Sequence, residues 1–268
     1  MSEGSTAFNE TVKLALVGDS GSGKTHQVRH IIEAFGADNV GIVSCEKGLG
    51  TIQTLLTPDN VFVADSIEEM REAWGWASKR YNRPDAFVVI DGGSRVMQWI
   101  SNREHGGADQ MLEYVYSGKP IPDMPAAIRP FLRYLTEKKV IDIMKVWIRG
   151  GRDAEIFWAA WLKLDCNLYA SFWREKTSAG QYDKSLPYTV DTPGNGMRNA
   201  IYSAFDYVFH IERVGTGATV FTGLADPVHK CKQRVDPALG INIPDEIPDF
   251  NLAKFYQALK PTKENVSV

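Results

Sequence analysis

Cysteine is scarce in this chain, and the three present, Cys45, Cys166 and Cys231, lie far apart without metal-ligand spacing. An odd, dispersed set excludes a disulfide framework and a thiolate metal site, and it fits a reducing, cytoplasmic compartment. No uninterrupted apolar run approaches the ~18 residues needed to span a bilayer, so no membrane association is expected. The opening MSEGSTAFNETV has neither a basic flank nor an apolar core, so no secretory leader is expected. Excess charge of one sign is missing too: 30 Lys and Arg against 33 Asp and Glu leave a formal net charge of −3. That balance excludes a polycation that coats nucleic acid, and any contact with DNA or RNA must come from a local patch or a pore formed by several subunits. Internal repeats and low-complexity tracts are absent as well.

What is present suits a globular α/β protein. With 268 residues, 44% of them hydrophobic and 24% charged, the chain can bury a full core. It reads as a single domain over 1–268, with an insertion or long loop at 102–128 and a polar, frayed tail after 260. The apolar run VKLALV (12–17) predicts a buried strand, and 24–35 predicts a helix closed by Gly36. Further strands are expected at 40–44, 61–63 and 86–90, with an amphipathic helix over 67–80 capped through Asp65-Ser66. Segments 129–139 and 156–161 read as helical, 167–173 as a strand, and 178–199 as loop-rich; two late strands are expected at 204–213 and 218–223. Strands that are apolar on both faces and alternate with helices predict a mainly parallel sheet covered by helices.

The chemistry begins at GDSGSGKT. Gly18, Asp19, Ser20, Gly21, Ser22, Gly23, Lys24 and Thr25 satisfy G-x-x-x-x-G-K-[ST] at every fixed position, between a predicted strand and a predicted helix. Glycines let backbone N–H groups turn inward on phosphate oxygens, and the following helix directs its positive end at the same anion. Lys24 is placed to reach the β- and γ-phosphates, and the Thr25 hydroxyl to ligate Mg²⁺. The alternative, a glycine-rich turn with a solvated lysine, does not explain the strand and helix on either side.

Two acids complete a candidate site. FVVID (87–91) carries Asp91 to the C-terminal end of a buried strand, where open α/β sheets bind ligands, so Asp91 is expected to hold Mg²⁺ indirectly or through its waters. Glu46 follows the strand VGIVSC, and an acid there is placed to orient and deprotonate an attacking water. A solvated loop glutamate beside Lys47 is the competing reading.

The order of phosphate loop, strand ending in Glu46 and strand ending in Asp91 resembles the RecA-type ATPase core. Small phage RecA-core proteins, described as phage nucleotide-binding proteins and including single-strand-annealing recombinase ATPases, are similar in size and element order over about residues 12–50, 86–100 and 165–240. The resemblance implies a RecA-like P-loop NTPase core: α/β, with a mainly parallel sheet flanked by helices and late antiparallel strands. It also implies ATP and Mg²⁺ as cofactors, hydrolysis with Glu46 and Lys24 as catalytic groups, and homo-oligomeric assembly into a ring or filament. Action on single-stranded DNA in recombination, annealing or replication follows from the same likeness, in the host cytoplasm if a phage encodes the chain. Lys230, Lys232 and Arg234, after the late strands, are similar to the family's fingers, with Lys232 and Arg234 acting on the neighbouring subunit's γ-phosphate. A solvated basic strand edge is the alternative.

The chain departs from that pattern at Gly92-Gly93-Ser94, where many such proteins place a hydroxyl residue directly after the acid. No polar sensor is obvious on the next core strand, with Arg174 and Glu175 as candidates. The 174–199 segment mixes Arg174, Lys176, Lys184 and Arg198 with Tyr182 and Tyr188, a composition suited to single strands or to a polar loop whose tyrosines pack locally. Trp147, Trp158, Trp161 and Trp173 sit among apolar residues and are expected to pack in a core or subunit interface. Outside the ATPase class stand a small-molecule P-loop kinase, which needs an arginine-bearing lid not seen here, and a nucleotide-binding assembly protein with weak hydrolysis.

Overall fold

Short β-rich runs alternate with amphipathic segments in the computed structural model, which describes residues 11–46, 48–105, 143–176, 188–193, 195–215, 217–223, 228–234 and 242–259. The strands are β1 (Lys13–Val17), β2 (Val40–Ser44), β3 (Val61–Val63), β4 (Phe87–Asp91), β5 (Asn167–Phe172), β6 (Arg174–Lys176), β7 (Tyr188–Val190), β8 (Tyr207–Val214), β9 (Gly217–Phe221), β10 (Lys232–Gln233) and β11 (Glu246–Ile247). The helices are α1 (Lys24–Phe35), α2 (Ile67–Arg80), α3 (Gly93–His105), α4 (Ile143–Leu162), α5 (Asn195–Ala204) and α6 (Leu252–Leu259).

The main sheet has nine strands in the order β11-β9-β8-β1-β5-β4-β2-β3, with β10 added along β8. The stretch from β8 to β3 is parallel, whereas β9, β10 and β11 join antiparallel. Successive side chains of a strand face opposite ways, so a sheet buried on both faces needs continuous apolar runs. In β1, Ala15 and Val17 pack into a core with residues of α2, α3, α4 and α5. Leu14 and Leu16 join the opposite core with residues of α1 and α6. The fold is thus the mainly parallel, helix-flanked α/β sheet with late antiparallel strands that the RecA-like resemblance implies.

Local signals act as expected. Gly36 at φ 83° stops α1, and its N–H bonds to the Ile32 carbonyl. Ser66 caps α2, its hydroxyl accepting the Glu69 N–H at 3.2 Å, while the Glu69 carboxylate accepts the Asp65 N–H at 2.5 Å.

Several expected boundaries are corrected. The loop expected from residue 102 begins inside α3, which runs to His105; the remainder of 102–128 and the helix at 129–139 lie outside the described residues. The helix at 156–161 is the last third of α4. The loop-rich stretch 178–199 contains β7 and the start of α5, with 178–187 outside the described residues. Ala204 ends α5, so the late strand starts at Tyr207, and the next covers Gly217–Phe221. The tail after 260 is likewise outside the described residues. Among the described residues no helix is long and apolar enough to cross a membrane.

Candidate nucleotide site

Four parallel strands deliver the site to one end of the sheet. β1 ends in the phosphate loop, whose Gly18 N–H is clamped to the Phe172 carbonyl at the end of β5 (3.0 Å). The loop turns through Gly21 at φ 77° and Gly23 at φ 104°, a region where a side chain is strained. α1 follows directly, so its free N–H groups face the loop's concavity.

The acids arrive by register. Ser44 of β2 pairs with Asp91 of β4, and the Cys45 N–H continues the pairing onto the Asp91 carbonyl at 2.8 Å. The Ser44 hydroxyl holds the Glu46 carbonyl at 2.7 Å, which turns Glu46 back over the sheet end. Gly92 makes room: at φ 105°, a Cβ added there would meet Glu46 Cγ at 2.8 Å. The Gly-Gly departure noted in the sequence therefore has a steric reason at the first glycine. At Gly93 an added Cβ would meet the Phe172 ring, and Ser94, fully buried, bridges the Trp173 N–H and the Asp191 carbonyl at 3.0 Å each.

A cleft of about 720 Å³ runs over the loop, lined by Ser20 to Gln27, Glu46, Asp91, Ser171 and Trp173 and also by Arg213, Gly217, Ala218, Asp249 and Phe250. Within it the Thr25 hydroxyl donates to Asp91 Oδ2 at 3.1 Å. Lys24 Nζ donates to the Gly18 and Asp19 carbonyls, both at 2.7 Å, so the ammonium rests on its own loop. Burial lowers the Lys24 pKa, against the pull of Asp91, Glu46 and Asp19. Half-buried Glu46 is shifted the other way: desolvation first, and Asp91's charge second, push its carboxyl up, against Lys24, Arg95 and the Trp173 side chain. Its buried Oε1 has no hydrogen-bond partner among the described residues. An ionisable group perturbed by desolvation and a like charge in a cleft is what a general base needs.

Thr25 and Asp91 also fit Mg²⁺. They bring a hydroxyl and a carboxylate, both hard oxygen donors, to one point beside the phosphate loop. Mg²⁺ takes few protein ligands and completes its shell with water and substrate phosphate. Among the described residues no group of three His, Cys, Asp or Glu could hold a metal ion unaided.

Sequence reasoning missed Ser171. At the end of β5 its hydroxyl donates to Asp91 Oδ1 at 2.7 Å and accepts the Gly92 N–H at 2.9 Å. It is a polar residue near the end of the next core strand, hidden because a lone serine in NLYASF carries no spacing signal. Trp173, expected in a core or subunit interface, lines the cleft, whereas Trp158 and Trp161 are buried in the core. Of the two sensor candidates, Arg174 reaches the phosphate loop through Asp19, whereas Glu175 is engaged by Arg198. Arg174 pairs with Asp19 and Glu212 and lies 4.4 Å from the Tyr188 ring centre, and Glu175 pairs with Arg198 at 2.6 Å. The hydrogen bond from Arg174 holds the Asp19 carboxyl below its ordinary value. Arg198 also bonds the Val190 carbonyl and Asn195, and Tyr182 and Lys184 lie outside the described residues.

Lys232 and Arg234 are not brought to this cleft. β10 pairs with the first residues of β8, Lys232 opposite Val208, at the sheet end away from the phosphate loop. There Lys232 Nζ donates to the Phe205 carbonyl at 2.6 Å, and Arg234 pairs with Asp206 at 3.2 Å while staying largely exposed. Lys230 sits over the Tyr202 ring at 4.9 Å.

No family model matches the chain, and no curated protein matches it in sequence. In three dimensions it is similar to the crystal structure of the RadB recombinase, with a TM-score of 0.37 and 11% identity over 78% of this chain and 79% of that one. A likeness of that size leaves the functional reading to the site's own residues.

Proposed function

We propose that this chain is a Mg²⁺-dependent ATPase that assembles with its own copies into a ring or filament and acts on single-stranded DNA in recombination, annealing or replication. The observation that carries the nucleotide part is the convergence of Lys24, Thr25, Asp91 and Glu46 in one cleft, with Thr25 and Asp91 3.1 Å apart. On this reading the loop N–H groups and Lys24 hold the phosphates, Lys24 leaving its two carbonyls to do so. Thr25 and Asp91 hold Mg²⁺, which supplies charge neutralisation at the phosphates when bound. Ser171 fixes the Asp91 carboxylate. Glu46 accepts a proton from water as the water oxygen bonds to the γ-phosphorus. The bond from that phosphorus to the β–γ bridging oxygen breaks, and ADP leaves.

Assembly and DNA action rest on the sequence resemblance. Cations at the sheet end remote from the chain's own cleft suit action on a neighbour's nucleotide, so Lys232 and Arg234 are proposed as groups acting across an interface. Turnover of ATP, particle size and DNA retention, measured with and without single-stranded DNA at low salt, test the reading. K24A should abolish nucleotide binding. E46Q and R234A should each bind ATP with little turnover, and mixing them should restore part of it, because each supplies what the other lacks. Turnover indifferent to DNA, together with no DNA binding, sinks the DNA part. Full activity in a monomer sinks the interface part, and phosphoryl transfer to a nucleoside or nucleotide would make the chain a kinase.

A further inference from the structure

Arg213, Gly217, Ala218, Asp249 and Phe250 also wall the cleft over the phosphate loop, Ala218 lying beside Gly23. We propose that Asp249 reads the sugar of the bound nucleotide, its carboxylate accepting hydrogen bonds from the 2′- and 3′-hydroxyls, so that the site selects ribonucleotides over deoxyribonucleotides. This rests on the nucleotide reading above.

Position comes first. A Cβ placed on Gly23 of the phosphate loop would stand 3.7 Å from the Ala218 Cβ, and a Cβ on the neighbouring Gly217 would overlap Asp249 Oδ1. Asp249 and the junction of the loop with α1 therefore flank adjacent residues of β9, and both line the same cleft. The loop N–H groups cradle the α- and β-phosphates, and Lys24 reaches the β- and γ-phosphates. The sugar follows the α-phosphate away from Lys24 and Glu46, which brings it toward this wall.

Asp249 is also held in place. Its φ of 47° is the one positive value at a non-glycine among the described residues, a conformation that Asp tolerates better than most residues. The next residues lock the loop from two sides: the Phe250 N–H bonds the Ala218 carbonyl at 2.9 Å, and the Leu252 N–H bonds Oε1 of Gln27, a buried residue of α1, at 3.0 Å. The backbone that carries Asp249 is thus fastened both to β9 and to the helix that carries Lys24.

Chemistry selects the ligand group. An ionised carboxylate only accepts hydrogen bonds, with two oxygens to offer. It repels a phosphate, whereas a vicinal diol presents two O–H donors to it.

The test is equilibrium binding of ATP, 2′-deoxy-ATP and 3′-deoxy-ATP to the full chain by calorimetry. Wild type should bind ATP about tenfold more tightly than either deoxy analogue, the scale of one hydrogen bond to a charged group. D249N keeps a side chain suited to the left-handed backbone but loses the charge, and should narrow the preference below about threefold while ATP still binds. G217A should do the same by displacing the carboxylate. If a variant fails to fold, the wild-type comparison decides alone. Equal binding of ATP and its deoxy analogues by wild type overturns the proposal and leaves the nucleotide site standing. So does a preference that survives in D249N. No binding by any nucleotide overturns the reading beneath it and this proposal together.

Discussion

Replacing Glu46 with glutamine should lower activity and raise stability at once. Three features of the site set the signs. Glu46 is half-buried, one of its oxygens is buried without a partner among the described residues, and its neighbour Asp91 bears the same charge. An amide of the same shape removes the repulsion and most of the desolvation penalty. Because the group is half-exposed and screened, the gain is small, about 0.5–1 kcal/mol. In a domain of this size that corresponds to about 1–4 °C in melting temperature. Glutamine cannot take up the proton of the attacking water, so turnover should fall by about 10²–10⁴-fold. ATP affinity should stay within about threefold, since no phosphate contact is lost. Thermal melting without nucleotide, calorimetric ATP binding and steady-state hydrolysis read the three quantities. Turnover within twofold of wild type, or a lower melting temperature, would refute the reasoning, because the same desolvated carboxylate underlies both effects.

S171A removes both the donor to Asp91 and the acceptor of the Gly92 N–H from a buried position. About 2–4 kcal/mol should be lost, lowering the melting temperature by about 4–16 °C; a drop under about 2 °C would contradict its place in the site. ATP hydrolysis by wild type should decline on acidification at a pH above the usual carboxylate range, since Glu46 must be ionised and its folded value is raised. The same group binds its proton more tightly folded than unfolded, so its contribution to stability falls as pH rises between the two values, and E46Q should flatten that slope. S66A should cost about 1 kcal/mol through loss of the α2 cap, read by chemical denaturation, with no effect on nucleotide binding.

The legible parts of the molecule were those whose signal is contiguous. The phosphate loop, its strand and its helix lie within about twenty residues, and the acids at 46 and 91 each end an apolar run. Ser171 was illegible because its role comes from register: Ile90 pairs with Ala170, so the residue after each meets across the strands. Helix α4 was only partly legible because Gly150-Gly151 reads as a break. Here Gly151 serves close approach instead, since an added Cβ would stand 3.2 Å from the Gly196 backbone at the start of α5. Asp249 lies in a Pro- and Asp-rich stretch that reads as loop, and only folding brings it beside Gly217. Lys232 and Arg234 were legible as cations on a late strand, but spacing does not say at which end of the sheet that strand lies.

The clamp on the phosphate loop also fixes a timetable. The strand that carries the loop is made first and sheltered last: the Val12 N–H waits for Asn167, 155 residues later, and the Lys13 N–H for Asp206, 193 residues later. Until Phe172 has emerged, nothing holds Gly18, and the leucines of β1 have no neighbouring strand on either side. Contacts this distant in sequence make for slow folding and for a long interval in which a bare apolar strand can meet another copy. Nucleotide cannot shorten that interval, because the cradle exists only once the last of these strands is in place. Yield on refolding should therefore depend on protein concentration far more than on added ATP.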